Sequence, residues 1–178
     1  SEAIISLAKE ISPKPLSILD VGTGSGCLAI TLKLEIPEAR VVALDISPEA
    51  LEIAQKNAQK LGAEVEFRQS DLCSALKEDE KFDLIVANLP YVDRSWEWLS
   101  PELQYEPELA LYAREGGLEL IKRLVLQAPK YLKKQGSLLL ESDLLQHDEL
   151  KRYTEQMASF RLQKTNGLIQ LYTRGFSR

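Results

Sequence analysis

Ser17-Ile18-Leu19-Asp20-Val21, followed at once by Gly22-Thr23-Gly24-Ser25-Gly26, is the stretch that decides the fold. The first five residues read as a short strand buried on both faces, the kind found in parallel sheets. The run from Leu28 to Leu34 then reads as a helix. A strand, a glycine turn and a helix make a nucleotide-binding unit. The glycines let the backbone approach a ligand, and the N–H groups of the first helical turn face it. The spacing here is G-x-G-x-G, and Cys27 occupies the place of the third glycine of a dinucleotide fingerprint. That departure disfavours a nicotinamide dinucleotide. It fits an adenosyl ligand with no pyrophosphate to cradle, while a plain β-to-α turn remains the alternative.

The next unit extends the pattern. Arg40 to Leu44 reads as a strand that ends in Asp45, with Ile46 behind it. A carboxylate roughly 20 residues past a glycine turn is placed to accept from ribose hydroxyls. It also suits the start of the following helix, where Ser47 is the N-cap, Pro48 the first helical residue and Gly62 the stop. Val65 to Arg68 reads as a third strand leading to Ser70-Asp71-Leu72. Asp71 is a candidate acceptor for an adenine amine and Leu72 a cover for the ring, with helix capping by Asp71 as the other reading.

A fourth strand, Phe82 to Ala87, runs into Asn88-Leu89-Pro90-Tyr91. In open α/β sheets ligands bind beyond the carboxyl ends of the strands. Asn88 there offers a side-chain carbonyl. Pro90 biases Leu89 toward extended geometry, which turns the Leu89 carbonyl the same way. Tyr91 adds a flat face. Two acceptors and a ring suit a planar –NH2 group such as an adenine amine or a glutamine amide. An ordinary strand-to-loop turn would use the same residue types.

Residues 92–114 have little periodicity but hold Trp96, Trp98, Tyr105 and Tyr112. So long a loop with aromatics reads as a lid or substrate-binding segment, or as an excursion packed on the core. Further on come a helix from Leu118 to Leu132, Gly136, a strand Ser137 to Leu140 ending at Glu141, and a helix Leu144 to Met157. A closing hairpin of Phe160–Leu162 and Leu168–Thr173 turns at Asn166-Gly167. His147 reads as solvated.

Composition narrows the function classes. The chain has 178 residues, 44% hydrophobic and 28% charged, enough for one domain with a sizeable core. A net charge of −5 argues against wide, sequence-independent nucleic-acid binding. Cys27 and Cys73 form neither CxxC nor a metal cluster and read as buried free thiols in a reducing compartment. No apolar run approaches the roughly 18 residues of a membrane span. Acidic Glu2 does not suit a signal peptide. The N-terminus opens in mid-helical pattern, over residues 2–11, as a piece of something longer would.

The order of elements, with Leu19-Asp20-Val21-Gly22-Thr23-Gly24-Ser25-Gly26 as a first motif, resembles the class I methyltransferases that use S-adenosylmethionine. Asn88 to Tyr91 resembles the (Asn/Asp)-Pro-Pro-Tyr motif of enzymes that methylate planar amino nitrogens. Tyr105-Glu106-Pro107-Glu108-Leu109-Ala110-Leu111, Gly116-Gly117-Leu118, Leu140-Glu141 and Gln146 are similar to the HemK-type protein-glutamine methyltransferases, which act on peptide chain release factors. The resemblance implies a Rossmann-like, mostly parallel seven-stranded α/β sheet with an antiparallel last strand. It implies S-adenosylmethionine held by Asp20, Gly22, Thr23, Gly24, Ser25, Gly26, Asp45, Ile46, Asp71, Leu72 and Asn88. It implies a glutamine held by Asn88, Leu89, Pro90 and Tyr91, with no metal. Leu89 stands where the family usually has Pro, which a backbone acceptor tolerates. The family's N-terminal helical domain is not in this sequence, so residues 1–178 are expected to be a single catalytic domain. The expected protein is a cytoplasmic monomer whose partner is a release factor. The alternatives are an adenine amino-methyltransferase on RNA or DNA, using a basic face from Lys130, Lys133, Lys134, Lys151 and Arg152, and a non-catalytic scaffold.

Overall fold

The structure, a computed structural model, describes residues 2–11, 16–91 and 117–175. The segment read as a lid lies outside them, as does the Glu-Pro-x-x-Ala-Leu stretch. The described elements run α1 Glu2–Glu10, β1 Ser17–Val21, α2 Cys27–Glu35, β2 Arg40–Asp45, α3 Pro48–Leu61, β3 Val65–Gln69, β4 Phe82–Ala87, α4 Glu119–Tyr131, β5 Leu132–Glu141, a 3₁₀ turn Leu144–Gln146, α5 His147–Ala158, β6 Phe160–Asn166 and β7 Ile169–Arg174. Helix α3 shows why its boundaries were readable. The Ser47 hydroxyl accepts the Ala50 N–H at 3.1 Å, Pro48 opens the helix, and Gly62 closes it at a left-handed φ of +69°.

The seven strands form one sheet in the order β3-β2-β1-β4-β5-β7-β6. β1 to β5 are parallel, and β7 runs antiparallel to both β5 and β6. Strand residues alternate between two cores. Ile18, Val41, Ala43, Leu84, Val86 and Leu139 meet α1 and α2 on one face. Leu19, Val42, Leu44, Ile85, Leu138 and Leu140 meet α4 and α5 on the other. Two buried faces explain why these strands read as unbroken apolar runs. The order reverses direction between β1 and β4, and a doubly wound sheet opens its ligand crevice at that switch point. No helix of the described residues is long and apolar enough to cross a membrane.

Four expectations are corrected. β5 begins at Leu132, not after Gly136: Leu132 pairs with Phe82, Ser137 with Leu84, and the residues between bulge out of register. Lys133, Lys134 and Gln135 in that bulge are exposed, so their polarity hid the strand. The hairpin loop is Gly167-Leu168, because Asn166 still pairs with Ile169. Cys27 is exposed, since it opens α2 beside the glycine turn; only Cys73 is buried. His147 is half-buried, its Nε2 3.4 Å from the Leu168 carbonyl, because the hairpin loop folds over the start of α5.

Candidate active site

Register brings the site together before any side chain does. Val21 pairs with Leu44 on one side and Ala87 on the other, and Ala87 pairs with Leu140. The next residues, Gly22, Asp45, Asn88 and Glu141, therefore lie at one level at the carboxyl ends of their strands, about 4.8 Å from strand to strand. Gly22 and Asn88 flank the switch point directly.

The glycine turn is built from both sides. Gly22 and Thr23 donate to the Leu44 carbonyl at 2.8 and 2.9 Å, and the Thr23 hydroxyl donates to Asp20 at 2.7 Å. Asp20 is 1% exposed. Burial pushes its carboxyl up from 3.8 to about 7; the Thr23 hydroxyl and the Ala29 N–H pull it down, and the Asp45 carboxylate adds to the rise. Asp45 accepts the Gly24 N–H at 2.7 Å through one oxygen and the Ser47 N–H at 2.9 Å through the other. Each oxygen keeps a further lone pair for a ligand hydroxyl. The three glycines serve different ends. A Cβ on Gly22 would stand 2.6 Å from Leu89 Cδ2, and one on Gly26 would stand 2.9 Å from Ala54 Cβ, so both positions are demanded by packing. A Cβ on Gly24 would meet nothing within 4 Å. Its side of the turn is open, and the Asp45 carboxylate beside it is an acceptor that fits the ribose hydroxyls of an adenosyl group.

Asn88 is exposed at the end of β4, and Leu89 is 4% exposed. The Leu89 side chain lies against Gly22 and joins the core under α4. It therefore couples the two turns, a role that reading Leu89 only for its carbonyl missed. Tyr91 packs on the same core, and its carbonyl accepts the Gln146 amide N–H at 2.8 Å. Gly117, at φ +84°, lies so close that a Cβ would be 1.9 Å from that carbonyl oxygen. Gln146 was singled out in the sequence only by the family resemblance; the Asp143-x-x-Gln146 spacing of a capping box, which the structure forms, is the local signal that could have placed it.

Ile46 is exposed beside Asp45, and Leu72 is buried at a left-handed φ of +47°. Such strain in a non-glycine residue gathers at ligand sites. Asp71 is ion-paired with Arg123 of α4 at 2.8 Å and half-exposed. A pair so exposed is worth only about 0.2–1 kcal/mol, so Asp71 can exchange Arg123 for another donor. The buried Ser70 hydroxyl, not Asp71, accepts the Ala75 N–H that follows. Of the basic residues weighed as a nucleic-acid face, Lys130 pairs with Glu78 and Lys133 with Asp83. Asp83 lies at the start of β4, the end away from Asn88. Among the described residues no cluster of His, Cys, Asp and Glu could hold a metal ion.

A methyltransferase domain family model matches residues 13–170. The chain is 46% identical over 148 residues to a release factor glutamine methyltransferase of Koribacter versatilis, covering 79% of this chain and 52% of that protein. It is 43% identical over 128 residues to a ribosomal protein uL3 glutamine methyltransferase of Francisella tularensis, covering 70% of this chain and 40% of that protein. The chain thus spans about half the length of the curated relatives it matches. Among solved structures, a ribosomal protein L11 methylase of Lactobacillus delbrueckii subsp. bulgaricus superposes with a TM-score of 0.71 at 26% identity, over 98% of this chain and 78% of that one.

Proposed function

The chain belongs to the methyltransferase domain family, and from that premise we propose that it transfers a methyl group from S-adenosylmethionine to the side-chain amide nitrogen of a protein glutamine. The names of the relatives support a peptide chain release factor as the substrate. The observation that carries the reading is the common level of Gly22, Asp45 and Asn88 at the switch point, with Leu89 against Gly22.

In this reading the turn Gly22-Thr23-Gly24-Ser25-Gly26 cradles the cofactor. Asp20 stiffens that turn from below, and Asp45 takes the ribose hydroxyls. Ile46 and Leu72 enclose the adenine, and Asp71 accepts from its amine. Bound S-adenosylmethionine supplies an electrophilic methyl on sulfur. An amide nitrogen is a poor nucleophile because its lone pair is delocalised into the carbonyl. The Asn88 side-chain oxygen and the Leu89 carbonyl accept the two amide protons. They orient the nitrogen and favour the positive charge it gains as the methyl arrives. Pro90 holds the turn in shape and Tyr91 gives the amide plane a surface. No strong base is needed before attack; the surplus proton leaves to water afterwards. We read residues 1–178 as one catalytic domain, working as a monomer in the cytoplasm.

The test is incubation with methyl-labelled S-adenosylmethionine and, separately, a release factor and RNA. Label on the release factor is expected. Label on RNA adenine alone would move the assignment to an adenine amino-methyltransferase, and label on neither would leave a scaffold.

A further inference from the structure

Gln146 is a polar side chain that is 4% exposed, and its two amide atoms do different things. Its Oε1 accepts the Asp143 N–H at 3.0 Å. That bond closes a capping box with the Asp143 carboxylate, which accepts the Leu145 N–H at 2.9 Å. Its Nε2 donates to the Tyr91 carbonyl at 2.8 Å, across 55 residues of sequence. Glu or Gln closes a capping box equally well. Only Gln carries an N–H for the second bond. Gly117 meets the same carbonyl: a Cβ there would stand 1.9 Å from the Tyr91 oxygen and 2.6 Å from Gln146 Nε2. Segments far apart in sequence thus converge on one backbone oxygen, three residues past Asn88.

We propose that Gln146 is a positioning residue that clamps the Asn88–Tyr91 turn through the Tyr91 carbonyl, with Gly117 packed beside it, and so aims the acceptors at the substrate amide. The inference rests on the functional reading above. The mechanics are direct. Leu89 anchors the front of the turn in the core. Pro90 has a fixed φ, so it transmits restraint along the chain instead of absorbing it. Holding the Tyr91 carbonyl then fixes the backbone on both sides of Pro90, and the orientation of Asn88 and of the Leu89 carbonyl follows.

Gln146→Glu keeps the acceptor for the Asp143 N–H and removes the donor to Tyr91. Gln146→Met, uncharged and similar in shape, removes both bonds without placing a charge beside the carbonyl. Asp143→Ala loosens the cap and leaves the clamp. The expected result is a fall in kcat of roughly 10- to 100-fold in both Gln146 variants, the scale of a small misplacement of reacting groups. Affinity for S-adenosylmethionine should be unchanged. Amide hydrogen exchange should quicken at Asn88, Leu89 and Tyr91 and stay at the wild-type rate at residues 22–26. Asp143→Ala should keep the wild-type kcat. The inference is overturned by unchanged exchange at Asn88, Leu89 and Tyr91 in both Gln146 variants, by quickened exchange with unchanged kcat, or by an equal loss of kcat in Asp143→Ala. If the wild-type chain methylates no glutamine, the functional reading fails on its own, and the exchange rates alone decide whether the clamp exists.

Discussion

The two turns that flank the switch point are secured in opposite ways. The turn after β1 is held by its neighbours: Thr23 reaches Asp20 three residues back, and Gly24 reaches Asp45 at 21 residues, the end of the adjacent strand. The turn after β4 is held from afar, by Leu89 in the core under α4, by Gly117, and by Gln146 at 55 residues. Helix α3 completes the first turn from nearby in sequence, with Ala54 against Gly26 and the Asn57 side-chain N–H donating to the Ser25 carbonyl at 3.0 Å. The second takes shape only when β5 and the 3₁₀ turn are in place. On the proposed function, the cofactor would be met by a turn encoded nearby in sequence, and the substrate amide by a turn that distant parts of the domain must hold.

Breaking the cradle at its buried carboxylate should give the largest effect, on stability. The Asp20 carboxyl sits at about 7 when folded, against an ordinary 3.8. Between those values the folded chain keeps a proton that the unfolded chain has lost, so stability falls as pH rises from about 4 to about 7 and is level above. The full span is on the order of 4 kcal/mol at 1.36 kcal/mol per pH unit. Melting curves from pH 5 to 8 should show a declining Tm that Asp20→Asn flattens. Parallel curves would deny the buried charge. Glu66, Glu80 and Asp83 are shifted downward, and their contribution changes only in more acidic solution, outside this range.

Next comes the second turn. Asn88→Ala should lower kcat by about 100- to 1000-fold, the scale for losing one preorganised group at a reacting centre. Its Tm should stay near wild type, since Asn88 is exposed. A smaller loss is expected at Asp45. Removing one charge-assisted contact costs about 1.5–3 kcal/mol, and calorimetry of Asp45→Ala should show that loss in affinity for S-adenosylmethionine. Smallest is Gly24→Ala. Its φ of +56° imposes about 1–2 kcal/mol on a residue with Cβ, with no clash to add, and denaturant unfolding measures it.

The same contrast explains what the sequence disclosed. The G-x-G-x-G turn, the acid at the end of β2, the Ser47-Pro48 cap and the apolar runs of β1, β2 and β4 are local signals, and the structure forms each of them. Leu89 looked like a backbone acceptor with an incidental side chain because its contact, Gly22, is 67 positions away and visible only once β1 and β4 pair. Leu132 looked helical because apolar periodicity cannot separate the last turn of a helix from the first residue of a strand, and Lys133 to Gln135 interrupted the run. Arg123 was invisible as a partner of Asp71, since surface ion pairs follow from tertiary placement alone.

The most direct measurement of this account crosses the two turns in one experiment: kcat and the Kd for S-adenosylmethionine, determined together for Asn88→Ala and Asp45→Ala with a release factor as methyl acceptor. The account predicts a crossed pattern, in which Asn88→Ala loses kcat far more than it weakens Kd and Asp45→Ala weakens Kd at nearly unchanged saturated kcat. Two variants that weaken Kd alike, with kcat preserved in both, would contradict it.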